Sequence, residues 1–162
     1  MAEGHGSSGV LEVVVVSPAR QLYEGEARFV TAPAWDRLDS GRSLYGNDDS
    51  QDPNRLTVGQ LGIFPRHAPL VAALGSGLLR IGLTGGQVAR FAVSGGFLKV
   101  GDDKVTVLVD RAVSETDVDA GEAQRELEET KAELQHPKSD EEFAQLLDKR
   151  AWSETRIKLA GK

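Results

Sequence analysis

The residues best placed to bind a partner or to do chemistry are Arg66 and His67, which stand side by side in the densest motif of the sequence. Glycines at 59 and 62 and prolines at 65 and 69 surround them. These residues set an irregular backbone path, which brings both side chains to a rim between two strands. The same pattern is also typical of a bulged corner of a β-sandwich, where His67 would be a hydrogen-bonded structural residue.

A catalytic site would need carboxylates that converge, and in the predicted β region outside residues 34–55 the clustered ones are Asp102, Asp103 and Asp110. Two of the three lie in a predicted hairpin turn, a position that is far more often solvated than catalytic. These residues therefore favour a solvated turn over a catalytic site, and we identify no catalytic residue; a small β-sandwich enzyme is the less favoured alternative.

Cysteine is absent, which excludes disulfides, thiolate nucleophiles, iron–sulfur clusters and cysteine-based zinc sites. The three histidines, His5, His67 and His136, are far apart and show no short ligand spacing. We expect no metal site.

Composition and charge narrow the classes of protein further. The 162 residues are 40% hydrophobic and 27% charged, which is typical of one soluble domain with an appendage. The net charge is −6, and acids and bases nearly balance over residues 1–112 with no basic stripe, so we expect no nucleic-acid partner. The apolar run at 13–16 is far shorter than the ~20 residues that span a bilayer. Residues 1–9 lack the features of a secretory signal and are expected to form a disordered leader, which favours a cytoplasmic location.

Residues 10–112 carry the signals of short strands separated by turns, which predict an antiparallel β-sandwich or barrel. Gly25 suits a tight turn between two of the strands, and residues 84–87 and 101–104 suit two hairpin turns. The predicted strands span residues 10–16, 22–23, 27–31, 78–83, 88–94, 97–100 and 105–109.

One segment, residues 34–55, is polar and rich in turn residues. Loops of this length in a compact domain are usually functional or disordered. We interpret it as a solvated insertion, with Trp35 and Tyr45 as the residues through which it would dock onto a partner.

Residues 113–162 change to a helical period, with two stripes that predict an antiparallel helical hairpin. Asp119 with Glu122, and Ser139 with Glu142, form capping-box patterns, and Pro137 separates the helices. Two helices of this size cannot be stable alone, so they must pack on the β domain or on another protein. The stripes comprise Ala120, Ala123, Leu127, Thr130 and Leu134, then Phe143, Leu147, Ala151, Thr155 and Leu159, with Leu146, Arg150 and Ile157 alongside.

Three motifs in order carry a resemblance to the epsilon subunits of bacterial F-type ATP synthases. They are residues 62–71 (GIFPRHAPLV), 94–100 (SGGFLKV) and 105–110 (VTVLVD), followed by the two-helix tail. The resemblance covers about residues 10–162 apart from the insertion. It implies an α+β fold, in which a sandwich of about ten strands precedes a helical hairpin.

The resemblance also implies a function and partners. Members of this family bind the gamma subunit, sit on the polar loops of the c-ring as part of the rotor, and in bacteria restrain ATP hydrolysis when the C-terminal helices extend into the alpha/beta catalytic hexamer. The resemblance therefore implies that this chain is a non-catalytic regulatory subunit, peripheral to the cytoplasmic face of the bacterial cell membrane.

Site residues follow from the resemblance by position. The loop holding Gln60, Arg66 and His67 is expected to face the c-ring and gamma, with Arg66 where many members have glycine. The last helix is expected to meet acidic segments of the catalytic hexamer, and the alternative is a solvated face. Its basic residues are Lys149, Arg150, Arg156 and Lys158.

Some epsilon subunits bind ATP through an Asp-x-x-Arg-Ala motif that opens the first helix. The corresponding residues here are 119–123 (DAGEA), so that Glu122 replaces the arginine. A carboxylate repels phosphate where a guanidinium would bind it. We expect no bound nucleotide and no cofactor.

A second class of function fits the architecture. A stand-alone β-sandwich that binds a ligand or a protein, with a helical tail for oligomerisation, would have the same elements. It does not explain the three ordered motifs.

Overall fold

The computed structural model describes residues 9–37 and 56–161, so most of the expected leader and of the insertion, including Tyr45, lies outside the described residues. In these described residues seven strands precede two helices, which confirms the predicted order of a β domain and a helical hairpin. The elements are β1 (Leu11–Val16), β2 (Gln21–Arg37), β3 (Leu56–Ile63), β4 (Leu70–Ala73), β5 (Gly77–Leu83), β6 (Val88–Gly101), β7 (Lys104–Ser114), α1 (Ala120–Leu134) and α2 (Asp140–Gly161).

The strands form a sheet that closes on itself. Their order is β1-β7-β6-β5-β2-β3, β1 also pairs with β2, and β4 pairs with β6. All described pairings are antiparallel except that of β1 with β7, which is parallel. Strands β2 and β6 change partners along their length, so each takes the place of two shorter strands. The core lies inside this closed sheet, and in β1 the alternate residues Leu11, Val13 and Val15 are fully buried in it.

The prediction of a tight turn at Gly25 is wrong, because β2 runs without a break from Gln21 to Arg37. Gly25 pairs with Val13, and a Cβ on it would lie 3.1 Å from the hydroxyl of Tyr23. The glycine therefore makes room for this ring. The Tyr23 hydroxyl donates to the carbonyl oxygen of Glu26 at 2.9 Å. Burial raises the pKa of Tyr23, and the Glu26 carboxylate raises it further.

Strand β6 is continuous where the sequence indicated two strands separated by Gly95 and Gly96. Both glycines have positive φ, +75° and +119°, which glycine adopts without steric cost. A Cβ on Gly96 would lie 2.8 Å from the Cα of Val109, so no larger residue fits. At this point β6 exchanges β5 for β4 as its neighbour.

Both predicted hairpin turns are present. Gly86 has φ +93° in the turn between β5 and β6. Asp102 and Asp103 have φ +51° and +59° in the turn between β6 and β7. Aspartate is among the few residues that tolerate this left-handed conformation.

Strand β2 extends past the point at which the sequence indicated the start of the insertion. It pairs residue by residue with β3, from Val30 opposite Ile63 to Arg37 opposite Leu56. Residues 34–37 therefore belong to a strand, because β3 completes their backbone hydrogen bonds.

The predicted caps of both helices are confirmed. Asp119 Oδ1 accepts the N–H of Glu122 at 3.0 Å, and Ser139 Oγ accepts the N–H of Glu142 at 3.0 Å. In α1 the buried residues lie on the predicted face, at Ala123, Leu127 and Thr130.

The predicted apolar stripe of α2 is only partly right. Phe143 is 43% exposed, whereas Trp152, outside the stripe, is buried. The reason is that α2 contacts both α1 and the sandwich, so two of its faces are covered instead of one. The buried residues of α2 are Leu146, Trp152, Ser153, Thr155 and Leu159.

The hairpin packs on the outer face of β5 and β6. Trp152 and Leu159 join Leu78 and Ala92 in a second apolar cluster, separate from the core of the sandwich. The sequence requires the hairpin to pack either on the β domain or on another protein, and in this structure it packs on the β domain.

Candidate interaction surfaces

The loop between β3 and β4 contains Arg66 and His67 and is a tight turn. The N–H of His67 donates to the carbonyl oxygen of Phe64 at 3.1 Å, and Arg66 has φ +68°. The N–H of Arg66 donates to Asp103 Oδ1 at 2.6 Å, so the β6–β7 turn holds this loop in place. His67 Nδ1 lies 2.8 Å from the carbonyl oxygen of Ala68, which can only accept, so Nδ1 carries the proton.

The predicted c-ring residues are only partly brought together. Arg66 and His67 share the turn, but Gln60 lies within β3, opposite Pro33, with its side chain exposed. Phe64, at the start of this turn, is an apolar residue that is 59% exposed. Its ring centre lies 6.2 Å from that of Phe29. Sequence reasoning did not single out Phe64 as a contact residue.

The outer face of β4, β6 and β7 carries large exposed apolar side chains, although an exposed sheet face is usually polar. Val71, Phe97 and Leu108 are 67%, 60% and 51% exposed. Phe97 lies directly opposite Leu108 on β7 and Ala73 on β4. Val71 lies opposite Lys99, which makes it a diagonal neighbour of Phe97. We refer to Val71, Phe97 and Leu108 as the apolar face. Contiguous exposed apolar surface of this kind marks a protein interface.

The four basic residues expected to meet the catalytic hexamer do not share one face of α2. Arg150 is exposed and pairs with Glu154 at 3.8 Å, and Lys158 is also exposed. Lys149 is half-buried. Arg156 is largely covered and forms an ion pair with Glu126 of α1. In the packed hairpin, Arg156 is therefore turned toward α1.

Arg111 of β7 joins the sandwich to α2. Its Nη2 donates to Ser94 Oγ at 3.2 Å and to Asp148 Oδ2 at 3.0 Å, and its guanidinium carbon lies 5.0 Å from the centre of the Trp152 ring. Beside this contact is a cleft of about 160 Å³, lined in part by Trp35, Ser76 and Asp110. Sequence reasoning missed Arg111, Asp148 and Trp152 as a group, because they are distant in the chain. The four-residue step from Asp148 to Trp152 is the signal that places two of them on one helical face.

The carboxylates considered for catalysis have separate positions. Asp103 accepts the N–H of Arg66 at the β6–β7 turn. Asp110 lies over Gly95, six residues along β7 from Lys104, the first residue of that strand. This is roughly 20 Å at the rise of a strand. Asp119, the first residue of the nucleotide-motif position, serves as the N-cap of α1.

Comparison with known proteins shows the family to which the chain belongs. The family model described as "ATP synthase, Delta/Epsilon chain, beta-sandwich domain" matches residues 55–115. The chain is 35% identical over 150 residues to the ATP synthase epsilon chain of Delftia acidovorans, covering 93% of this chain and 89% of that one. It is 33% identical over 137 residues to that of Neisseria meningitidis serogroup C, covering 84% and 82%. The chain belongs to the ATP synthase epsilon chain family.

Two solved structures share the fold of this epsilon-family chain. One is the Euglena gracilis mitochondrial ATP synthase, described as OSCP/F1/c-ring in rotational state 1, with a TM-score of 0.71 at 20% identity over 100% of this chain and 87% of that one. The other is the central stalk/c-ring of the Tetrahymena thermophila mitochondrial ATP synthase, with a TM-score of 0.59 at 17% identity over 93% and 96%. At these identities the likeness is one of fold.

Neither helix of the described part of this epsilon-family chain has an apolar stretch long enough to cross a membrane. The apolar residues of α2 are used within the chain, since Trp152 and Leu159 pack against Leu78 and Ala92. This packing leaves little apolar surface on α2 for the oligomerisation tail of the alternative function.

Proposed function

We propose that the chain is a non-catalytic rotor subunit of a proton-translocating F-type ATP synthase. It links the gamma subunit to the c-ring, is peripheral to the cytoplasmic face of the bacterial membrane, and restrains ATP hydrolysis by the alpha/beta hexamer through α1 and α2. Membership of the epsilon chain family supports a place in this complex, and both structural neighbours come from assemblies described as including a c-ring, one of them with the central stalk.

The apolar face carries this proposal. A rotor subunit must stay fixed to the stalk through each turn, which requires a permanent contact. Burying the exposed parts of Val71, Phe97 and Leu108 stabilises such a contact by roughly 1 kcal/mol or more for each side chain. We assign this face to gamma, because a protein partner that never leaves can cover apolar surface that is costly in water.

The turn at Arg66 and His67 suits a different partner. It presents a cation and an imidazole, and these groups match polar loops better than an apolar surface. We assign it, with Gln60 on β3, to the c-ring. The turn lies against Asp103 at the β6–β7 turn, so it stands at one end of the strands that form the apolar face. One rigid domain can thus hold both partners.

The assignment to gamma is tested with Phe97→Asp and Leu108→Asp in the tagged, assembled complex. A carboxylate buried without a partner costs about 1–3 kcal/mol or more, so we expect roughly ten- to hundredfold weaker retention of the subunit during purification. Retention is measured by quantitative gel analysis of the subunits that co-purify with gamma.

The matched control is Phe143→Asp, which adds the same charge at an apolar residue that is 43% exposed on α2. It should leave retention unchanged. If both sheet variants are retained as well as the control, the apolar face does not bind gamma.

A further inference from the structure

Trp152 of α2 lies in the apolar cluster through which this helix packs on the sandwich. Two guanidinium groups lie over its ring, that of Arg111 at 5.0 Å and that of Arg156 at 5.3 Å from the ring centre. Both distances lie within the range of a cation–π interaction. Trp152 itself is buried. One arginine belongs to β7 and the other to α2, so the ring is shared between two elements.

Each guanidinium is also bound to a different part of the molecule. Arg156 pairs with Glu126 of α1. Arg111 pairs with Asp148 of α2 and donates to Ser94, a buried residue of β6. A continuous series of contacts therefore runs from α1, through Arg156, Trp152 and Arg111, to the sandwich. We refer to Glu126, Arg156, Trp152, Arg111 and Asp148 as the Trp152 relay.

The relay holds the hairpin in place without locking it. Arg111 and Asp148 are about half exposed, so their ion pair is weak and screened by salt. Arg156 is largely buried, yet its Nε has no hydrogen-bond partner among the described residues, which weakens the packed state. Such a set of contacts opens at modest cost.

We propose that Trp152 couples two separations, that of α1 from α2 and that of α2 from the sandwich, so that loss of one contact promotes loss of the other. When Glu126 releases Arg156, the guanidinium is no longer fixed over the ring, and Trp152 loses part of what orients it toward Arg111. When Asp148 releases Arg111, the guanidinium of Arg111 is no longer fixed, and its contact with the Trp152 ring is weakened. The use of this coupling in regulation rests on the proposed restraint of hydrolysis, whereas the coupling itself is a property of the chain alone.

The test is a double-mutant cycle on the full-length chain, with Glu126→Gln, Asp148→Asn and the double variant. Both substitutions are isosteric, Asp148 is 62% exposed and Glu126 is 26% exposed, so the fold is expected to persist. Opening is measured by amide hydrogen exchange of residues 150–158, with the exchange of β1–β7 as the internal reference for global unfolding. Each single variant should raise opening about two- to fivefold, and the double variant should fall short of the product of the two.

Two further variants make the cycle specific to the ring. With Trp152→Leu the two effects should multiply, because the shared ring is gone, and with Trp152→Phe part of the coupling should return. Arg150→Gln, which breaks the exposed pair with Glu154, is the control and should multiply with Asp148→Asn. If the effects of Glu126→Gln and Asp148→Asn multiply in the wild-type background, the relay does not exist. The same follows if the double variant falls short of the product by the same factor in the Trp152→Leu background as in the wild type.

Hydrolysis by the assembled complex separates this inference from the proposed function. If the variants show coupling but truncation of the hairpin leaves ATPase activity unchanged, the relay stands and the restraint of hydrolysis by the hairpin fails. If truncation of the hairpin raises activity while the cycle shows no coupling, the proposed function stands and the relay fails.

Discussion

Arg66 occupies a backbone conformation that an arginine adopts only at a cost. Its φ of +68° is left-handed, which costs an L-residue roughly 1–2 kcal/mol, and the hydrogen bond from its N–H to Asp103 holds it there. Glycine reaches this conformation freely. The contact with the c-ring that we propose for the Arg66 side chain is a role that would offset this strain.

Two substitutions separate the backbone of Arg66 from its side chain. Arg66→Gly should stabilise the free subunit by about 0.5–1 kcal/mol in urea unfolding, because it relieves strain at some cost in chain entropy, whereas Arg66→Ala should change it by less than about 0.5 kcal/mol.

If the side chain contacts the c-ring, both variants reduce ATP-driven proton pumping in membrane vesicles to the same extent. Pumping at the wild-type level in both would remove Arg66 from the contact.

Local signals define where the two helices begin, but packing keeps them folded. The caps at Asp119 and Ser139 satisfy amides of the first turns, and each is worth about 1 kcal/mol. Helices of 15 and 22 residues are marginal in water. Their remaining stability comes from α1–α2 packing and from Trp152 and Leu159 on the sandwich.

A peptide of residues 117–162 tests this dependence. Circular dichroism should give less than about a quarter of the helix found in the same residues of the full chain, since the surface of Leu78 and Ala92 is missing. A peptide that is fully helical and monomeric would show that the hairpin is an independent unit.

At the scale of the whole molecule, the sandwich carries the surfaces that we propose for assembly, and the hairpin lies apart from them. The apolar face is on β4, β6 and β7, whereas the hairpin covers the outer sides of Leu78 and Ala92 on β5 and β6. Removal of the hairpin therefore leaves both proposed rotor contacts intact.

The truncation must respect the end of β7. This strand runs to Ser114, and the N–H of Glu115 donates to the carbonyl oxygen of Arg90, so the chain is best ended at Thr116. The truncated subunit should co-purify with gamma as well as the full chain does. ATPase activity of the purified complex should rise by about twofold or more, because several weak contacts are removed together. Unchanged activity at full occupancy of the subunit would argue against restraint by the hairpin.

The sequence predicted those parts of the structure that depend on local chemistry. The hairpin turns at residues 84–87 and 101–104, the helix caps and the α1 face all follow from residues close together in the chain. The interpretation of Gly25 was wrong for a tertiary reason, since the glycine makes room for the Tyr23 ring and not for a turn. The sequence likewise predicts a gap between two strands at Gly95 and Gly96, whereas β6 is continuous there and changes its neighbour from β5 to β4.

The surfaces were less predictable. Phe97 and Leu108 have the residue type of a core position, and only the register of β6 and β7 turns them outward. The helical period predicts that Phe143 is buried and does not include Trp152, whereas Phe143 is exposed and Trp152 is buried. The reason is that α2 packs against both α1 and the sandwich, and a single helical period describes only one buried face.

By itself, the sequence determined the order of the β domain and the helices, the caps, the turns and the likeness to epsilon subunits, because each rests on residues within a few positions of one another or on motifs read in order. Only the tertiary structure decided which apolar side chains stay exposed, that Arg156 turns toward α1, and that Trp152 lies under two guanidinium groups. These features depend on elements that are distant in the chain, and their relative positions are set by packing of the whole fold.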